Sequence, residues 1–119
     1  MPGILVLKMG GGDDRESELD SLRERGHEVR VVEPRWPECK TELSGSRPAL
    51  VIVDGGQAPS HGRATARWMS TQARLRTVPF LFVDVPDQDM ERTRRELPRA
   101  QFATWASVAG AATRLLKRD

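Results

Sequence analysis

The stretch PALVIVDGGQ, residues 48–57, sets an unbroken apolar run, Ala49 to Val53, against Asp54 and two glycines. Apolar residues at consecutive positions occupy both faces of a strand, so this run reads as a strand buried on both sides, as in a parallel sheet covered by helices. Its end is abrupt. A carboxylate at a partly buried strand end is costly unless something pairs with it, and the rest of the chain has to supply that partner.

Working outward, the same kind of run recurs at Gly3–Leu7, Val29–Val32 and Phe80–Val83, and more weakly at Ala100–Thr104. Helical stretches alternate with them. Asp13 to Arg25 opens on acids, turns Leu19 and Leu22 inward and closes on Gly26. Glu38 to Ser44 is short and flanked by Pro34, Pro37, Gly45 and Pro48. Gly62 to Arg74 carries Trp68 and Met69, Asp87 to Leu97 stops at Pro98, and Ser107 to Lys117 aligns Val108, Ala111, Ala112 and Leu115 behind a capping Ser107. Five strand–helix alternations predict one α/β domain over residues 1–119, a three-layer sandwich around a parallel sheet. Function in such sheets gathers at the carboxyl ends of the strands: Lys8-Met9, Glu33, Asp54, Asp84 and Trp105.

Composition narrows the class. The net charge is +2, and all but three of the 19 basic residues are arginines interleaved with acids, a pattern of solvated helix faces. Arg92, Arg94, Arg95 and Arg99 are the nearest approach to a basic stripe, too short to argue for nucleic acid. Cys39 is the single cysteine and has no His or acidic partner suggesting a nucleophile, which fits a reducing compartment. No apolar run reaches bilayer-spanning length. MPGILVLKM reads as a first strand rather than a signal peptide, so a cytoplasmic location is expected.

Taken together, the order and spacing resemble the receiver domain of bacterial two-component response regulators, over essentially the whole chain. PALVIVDGGQAPSHG resembles the third strand, phospho-acceptor aspartate and following loop, with Asp54 at the acceptor position and Gly62 at the loop glycine. VPFLFV resembles the fourth strand, and Gly26-His27-Glu28-Val29 the entry to the second. The resemblance implies a (βα)5 flavodoxin-like fold with sheet order 2-1-3-4-5.

It also exposes what is missing. An active receiver pairs its acceptor with acids at the first strand end to hold Mg²⁺; here those positions are Lys8 and Met9. The Thr or Ser ending the fourth strand is Asp84, and the Lys-Pro ending the fifth is Trp105-Ala106. Asp13 and Asp14 are not a displaced acidic pair, because the distance from Lys8 to Gly26 leaves no insertion to carry them back; they suit a helix N-terminus instead. The expectation is a pseudo-receiver: Lys8 replaces the metal and pairs with Asp54, and also with Asp84. No metal, cofactor or catalytic residue is expected. The resemblance implies that a protein partner docks on the face of the fourth helix, fifth strand and fifth helix, through Arg92, Arg95, Arg99, Phe102 and Trp105, in place of phosphorylation. Against Trp105 as a contact stands the reading that it fills the emptied pocket.

Two alternatives stay open: a phospho-accepting receiver using Asp54, and a nucleotide site at Gly10–Gly12 with Glu33 as the ribose-binding acid. The second suffers from Arg15 where GxGxxG needs glycine and from Asp13 and Asp14 where a pyrophosphate would lie. His27 reads as a turn residue, His61 as a loop residue near Asp54, and Trp36 as a packing anchor; none completes a nucleophile–base set.

Overall fold

The structure, a computed structural model, describes residues 3–10, 13–35, 38–45, 47–56 and 59–117. Its strands are β1 (Ile4–Leu7), β2 (Val29–Val32), β3 (Leu50–Asp54), β4 (Phe80–Val83) and β5 (Gln101–Ala103). Its helices are α1 (Glu16–Glu24), α2 (Glu38–Ser44), α3 (Pro59–Ser70), α4 (Asp87–Glu96) and α5 (Val108–Leu116). All strand pairs are parallel and the sheet order is β2-β1-β3-β4-β5. The expected architecture is the observed one.

The strands form because their residues divide by parity. Leu5, Leu7, Val51, Val53, Phe80 and Phe82 face a core closed by Cys39 and Leu43 of α2, Met69 of α3 and Leu97. Ile4, Val6, Leu50, Ile52, Leu81 and Val83 face the other, closed by Leu19 and Leu22 of α1 and by Val108, Ala111 and Ala112 of α5. Because both faces are covered, the apolar runs are continuous rather than alternating. Register places Leu7 beside Val53, and Asp54 beside Val83, so Lys8 follows directly on the strand neighbouring Asp54.

Helix α3 ends at Ser70 rather than Arg74, and three other boundaries differ from expectation for local reasons. Residues Asp13–Arg15 form a 3-10 turn ahead of α1. Helix α3 starts earlier, at Pro59, so His61 and Gly62 lie in it rather than in a loop. A Cβ on Gly62 would sit 2.7 Å from Val53 Cγ1, so glycine lets α3 pack directly on the end of β3. Ser107 does not cap α5 with its side chain; residues Trp105–Ser107 form a 3-10 turn, and Ser107 closes a reciprocal capping box with Thr104. Trp36 lies outside the described residues, as do Gly11 and Gly12.

Candidate functional site

The carboxyl ends of β1, β3 and β4 and the turn after β5 converge on Asp54. Its backbone is fixed by strand pairing, and the residue after it is constrained: a Cβ on Gly55 would stand 2.5 Å from Val85 Cγ2 and 3.0 Å from its Cα. Only glycine fits there, which accounts for the first of the two glycines that follow the carboxylate. The second supplies a donor. Gly56 N–H bonds Asp54 Oδ1 at 3.0 Å.

Asp54 is 6% exposed and Lys8 is 1% exposed. The Lys8 ammonium lies 3.8 Å from Asp54 Oδ2. It also donates to the Met9 carbonyl at 3.2 Å, so Met9 contributes its backbone to the site. Its shortest contact is Asp14 Oδ1, at 2.7 Å. The reading of Asp14 as a helix-terminus acid is thereby corrected. The 3-10 turn carries its carboxylate back over the sheet, where a full opposite charge at contact outweighs the helix's partial one. That hydrogen bond holds the Asp14 carboxyl below its ordinary value.

Trp105 adds a second hydrogen-bond donor to Asp54. Its Nε1–H donates to Asp54 Oδ1 at 3.3 Å, and it is 2% exposed. This removes Trp105 from the surface contacts expected of it: the 3-10 turn after β5 folds the indole inward, and Trp105 packs in the core with Val83 and Val108. It fills the place of the expected fifth-strand lysine with a neutral donor.

Asp84 belongs to a different partner than expected. Its nearest cation is Arg15, with NH2 at 3.7 Å from Oδ2, while Oδ1 accepts from the Trp105 backbone N–H at 3.1 Å. Asp84 has φ of 53°, a left-handed conformation that Asp tolerates better than most residues. Arg15 also reaches Glu18 and lays its guanidinium 5.4 Å from the Trp105 ring centroid. The site is therefore a closed network linking the turn before α1 to the ends of three strands.

Of the residues expected on the docking face, Arg92, Arg95 and Arg99 are exposed and Phe102 is half-buried. Arg92 bonds Glu96 at 3.1 Å, and Phe102 lies under Arg94 at 4.8 Å and 6.1 Å from the Phe82 ring. Sequence reading missed Arg63. It is 4% exposed, on the inner side of α3, with Asp89 and Glu96 of α4 each 3.6 Å away. It ties α4 to α3.

Elsewhere, Glu33 is engaged by Arg35 at 2.6 Å and by the Gly10 backbone, which together hold its carboxyl below its ordinary value. Cys39 is buried, which pushes its thiol up. His27 meets Thr113 Oγ1 at 3.4 Å, between the turn after α1 and α5. His61 is exposed.

No protein-family model and no curated protein sequence matches the chain. Solved structures do match. One is the signal receiver domain of a signal transduction histidine kinase from Syntrophus aciditrophicus, 26% identical, covering 100% of this chain and 95% of that one, with a TM-score of 0.75. Another is the phosphorylated cyanobacterial phytochrome response regulator RcpA, 17% identical, covering 99% and 96%, with a TM-score of 0.77. The fold is that of a receiver domain. A third match, the receiver domain of a sensor histidine kinase from Pseudomonas aeruginosa, was solved with magnesium coordinated in its active-site cleft; it is 16% identical, covers 99% and 97%, and has a TM-score of 0.69.

A magnesium ion does not fit the residues at this receiver-fold site. Mg²⁺ demands a near-octahedral shell of oxygens. Here Asp54 and Asp14 flank a buried ammonium, and Asp84 faces Arg15. Among the described residues no group of three or more His, Cys, Asp or Glu side chains could hold a metal ion.

Proposed function

We propose that this chain is a receiver-fold signalling module that works without phosphorylation: a constitutive protein-docking domain, not an enzyme. The observation that carries the reading is the buried Lys8 ammonium 3.8 Å from Asp54. Phosphoryl transfer to a carboxylate relies on a divalent cation to neutralise the incoming charge. A tethered lysine supplies a single charge and donors already engaged with Asp14 and Met9. Asp54 Oδ1 meanwhile accepts from both Trp105 and Gly56.

The Arg63 clamp supports the same reading from the far side of the sheet. Signalling by switching needs an element with two arrangements. Helix α4 is fastened to α3 through a buried guanidinium, which favours one arrangement. The surface it presents, with Arg92, Arg95, Arg99 and Phe102, is then permanently displayed for a protein partner. Among the described residues no helix is long and apolar enough to cross a membrane.

The test is an amide and indole spectrum of isotope-labelled protein titrated with Mg²⁺ and then beryllofluoride, a phosphoryl mimic. The Trp105 Nε1–H resonance, assigned by its loss in Trp105→Phe, reports directly on Asp54. It and the amides of Gly55 and Gly56 are expected to stay put at millimolar Mg²⁺. Saturable shifts at these three groups overturn the proposal in favour of a working phospho-acceptor.

A further inference from the structure

Strand β2 forms one edge of the sheet, at the far end from β5 and the docking face proposed above. Ile4 N–H donates to the Glu28 C=O and Lys8 N–H to the Val32 C=O, so the even-numbered residues of β2 turn their backbone groups toward β1. The direction alternates along a strand in a parallel pair. The N–H and C=O of Val29 and Val31 therefore point out of the sheet. Outward groups of this kind recruit another strand.

The side chains divide in the same way. Val29 and Val31 are half-buried and pack on the core closed by α1 and α5. Alternation puts Glu28 and Arg30 on the α2 face with Val32; both are exposed, and Arg30 reaches Glu42 of α2. A lone charge in the middle of an edge strand ordinarily keeps other strands away. Here an acid stands two residues before the base on the same face. Two-fold antiparallel pairing through Val29 sets each Arg30 opposite Glu28 of the other copy, and brings the half-buried Val29 side chains together on the opposite face. Pairing centred on Arg30 would instead oppose the two guanidinium groups, and pairing centred on Val31 would set Arg30 against Val32 and leave Glu28 without its base. Charge thus selects one register.

We propose that the chain forms a two-fold dimer through β2, with the sheet of one copy continuing into that of the other. Val29 exchanges both backbone bonds with its counterpart. Each Val31 N–H reaches the His27 C=O of the other copy, where the His27 N–H is already held by the Leu22 C=O. The interface is short, so association is weak and concentration-dependent. A strand from another protein would need the same acid–base spacing in reverse; a second copy supplies it by symmetry. The dimer leaves α4 and β5 of each copy at the outer ends of the joined sheet, and so displays two docking faces to a paired target. Nothing in it depends on the state of Asp54, so this proposal and the docking reading fail independently.

Sedimentation velocity and amide spectra of the whole chain over a concentration series test it. The wild type is expected to pass from monomer to dimer, with the Val29 and Val31 amides gaining protection from exchange as it does. Arg30→Glu and Glu28→Arg, both at exposed positions and checked for native circular dichroism, should each weaken self-association about tenfold, because either change sets like charges across the two-fold. An equimolar mixture of the two variants should dimerise again, since each supplies the charge that the other lacks. A chain that stays monomeric at millimolar concentration overturns the proposal. So does self-association that both variants leave unchanged, or that their mixture fails to rescue. Concentration-dependent shifts at Gln101 and Phe102 with none at Val29 and Val31 overturn it as well, by placing the contact on β5.

Discussion

Lys8→Met is the sharpest perturbation of the site, because it removes a charge while nearly conserving volume. Lys8 is 1% exposed and Met follows its stem, so no sizeable cavity opens. The contact with Asp14 is worth little, since that carboxylate is 54% exposed and rehydrates on release. The cost therefore falls on Asp54. At the observed 3.8 Å the Coulomb attraction is about 4 kcal/mol at an effective dielectric near 20. Deleting the ammonium also removes its own desolvation penalty, and Trp105 Nε1–H and Gly56 N–H still serve Asp54 Oδ1. A net loss of about 2–3 kcal/mol is expected, under the roughly 3–5 kcal/mol typical of breaking a fully buried pair. For a chain of 119 residues that lowers Tm by roughly 8–12 °C. Urea and thermal unfolding followed by far-ultraviolet circular dichroism measure it. Lys8→Met/Asp54→Asn should regain at least half of the loss, because Asn keeps an acceptor for the indole and carries no charge to strand. The reasoning fails if Lys8→Met costs under about 0.5 kcal/mol, a surface-like value, or if the double variant is no more stable than the single one.

Three further perturbations probe the network. Trp105→Phe keeps an aromatic body but deletes the Nε1–H donor to Asp54, and should cost about 1–2 kcal/mol in the same unfolding assay; a neutral effect means that hydrogen bond carries no weight. Asp14 has its pKa lowered from an ordinary 3.8 by Lys8, so its contribution is fully present above that value and is lost as pH falls through the lower folded value. The stability gap between the wild type and Asp14→Asn should accordingly be flat well above that ordinary value and shrink as pH falls below it; a gap that does not change with pH contradicts the Lys8–Asp14 pair. Arg63→Met should change stability by about 1 kcal/mol or less, since Glu96 keeps Arg67 and Arg92, yet it should speed amide exchange along α4. Unchanged exchange in α4 rules out the clamp.

The fold was legible because its strands are buried on both faces, which writes them as runs such as Ile4–Leu7 and Ala49–Val53 that no amphipathic helix shares. Lys8 and Asp54 were legible for a related reason: a polar residue ending an apolar run must lie at the sheet's rim, and adjacent parallel strands bring their rims together. What stayed hidden depends on short irregular turns. The 3-10 turn at Asp13–Arg15 aims Asp14 at Lys8 and Arg15 at Asp84, and its sequence, DDR, equally suits an ordinary helix start. The turn at Trp105–Ser107 buries the indole, as the pocket-filling alternative had it, but nothing in TWAS shows that its Nε1–H reaches Asp54. Arg63 was invisible among so many solvated arginines, because only the packing of α3 on α4 distinguishes it.

The network's charge balance bears on why such a site persists on a fold that other proteins use for phosphoryl transfer. Two cations, Lys8 and Arg15, stand against four carboxylates, Asp14, Glu18, Asp54 and Asp84, with half-exposed groups at the rim. A receiver that borrows its cation from solution loses that charge compensation whenever the ion leaves, and so its loops depend on the ion's presence. Here the cation is covalently attached, on the residue that follows β1, and cannot dissociate. A phosphoryl group would add about −2 charge to a site whose two cations are already outnumbered by carboxylates. On the proposed reading, the lysine that stands in for a metal also frees the surrounding loops from dependence on a dissociable ion. On that reading, a domain presenting one fixed surface gains from such independence, and the Arg63 contacts hold α4 against α3.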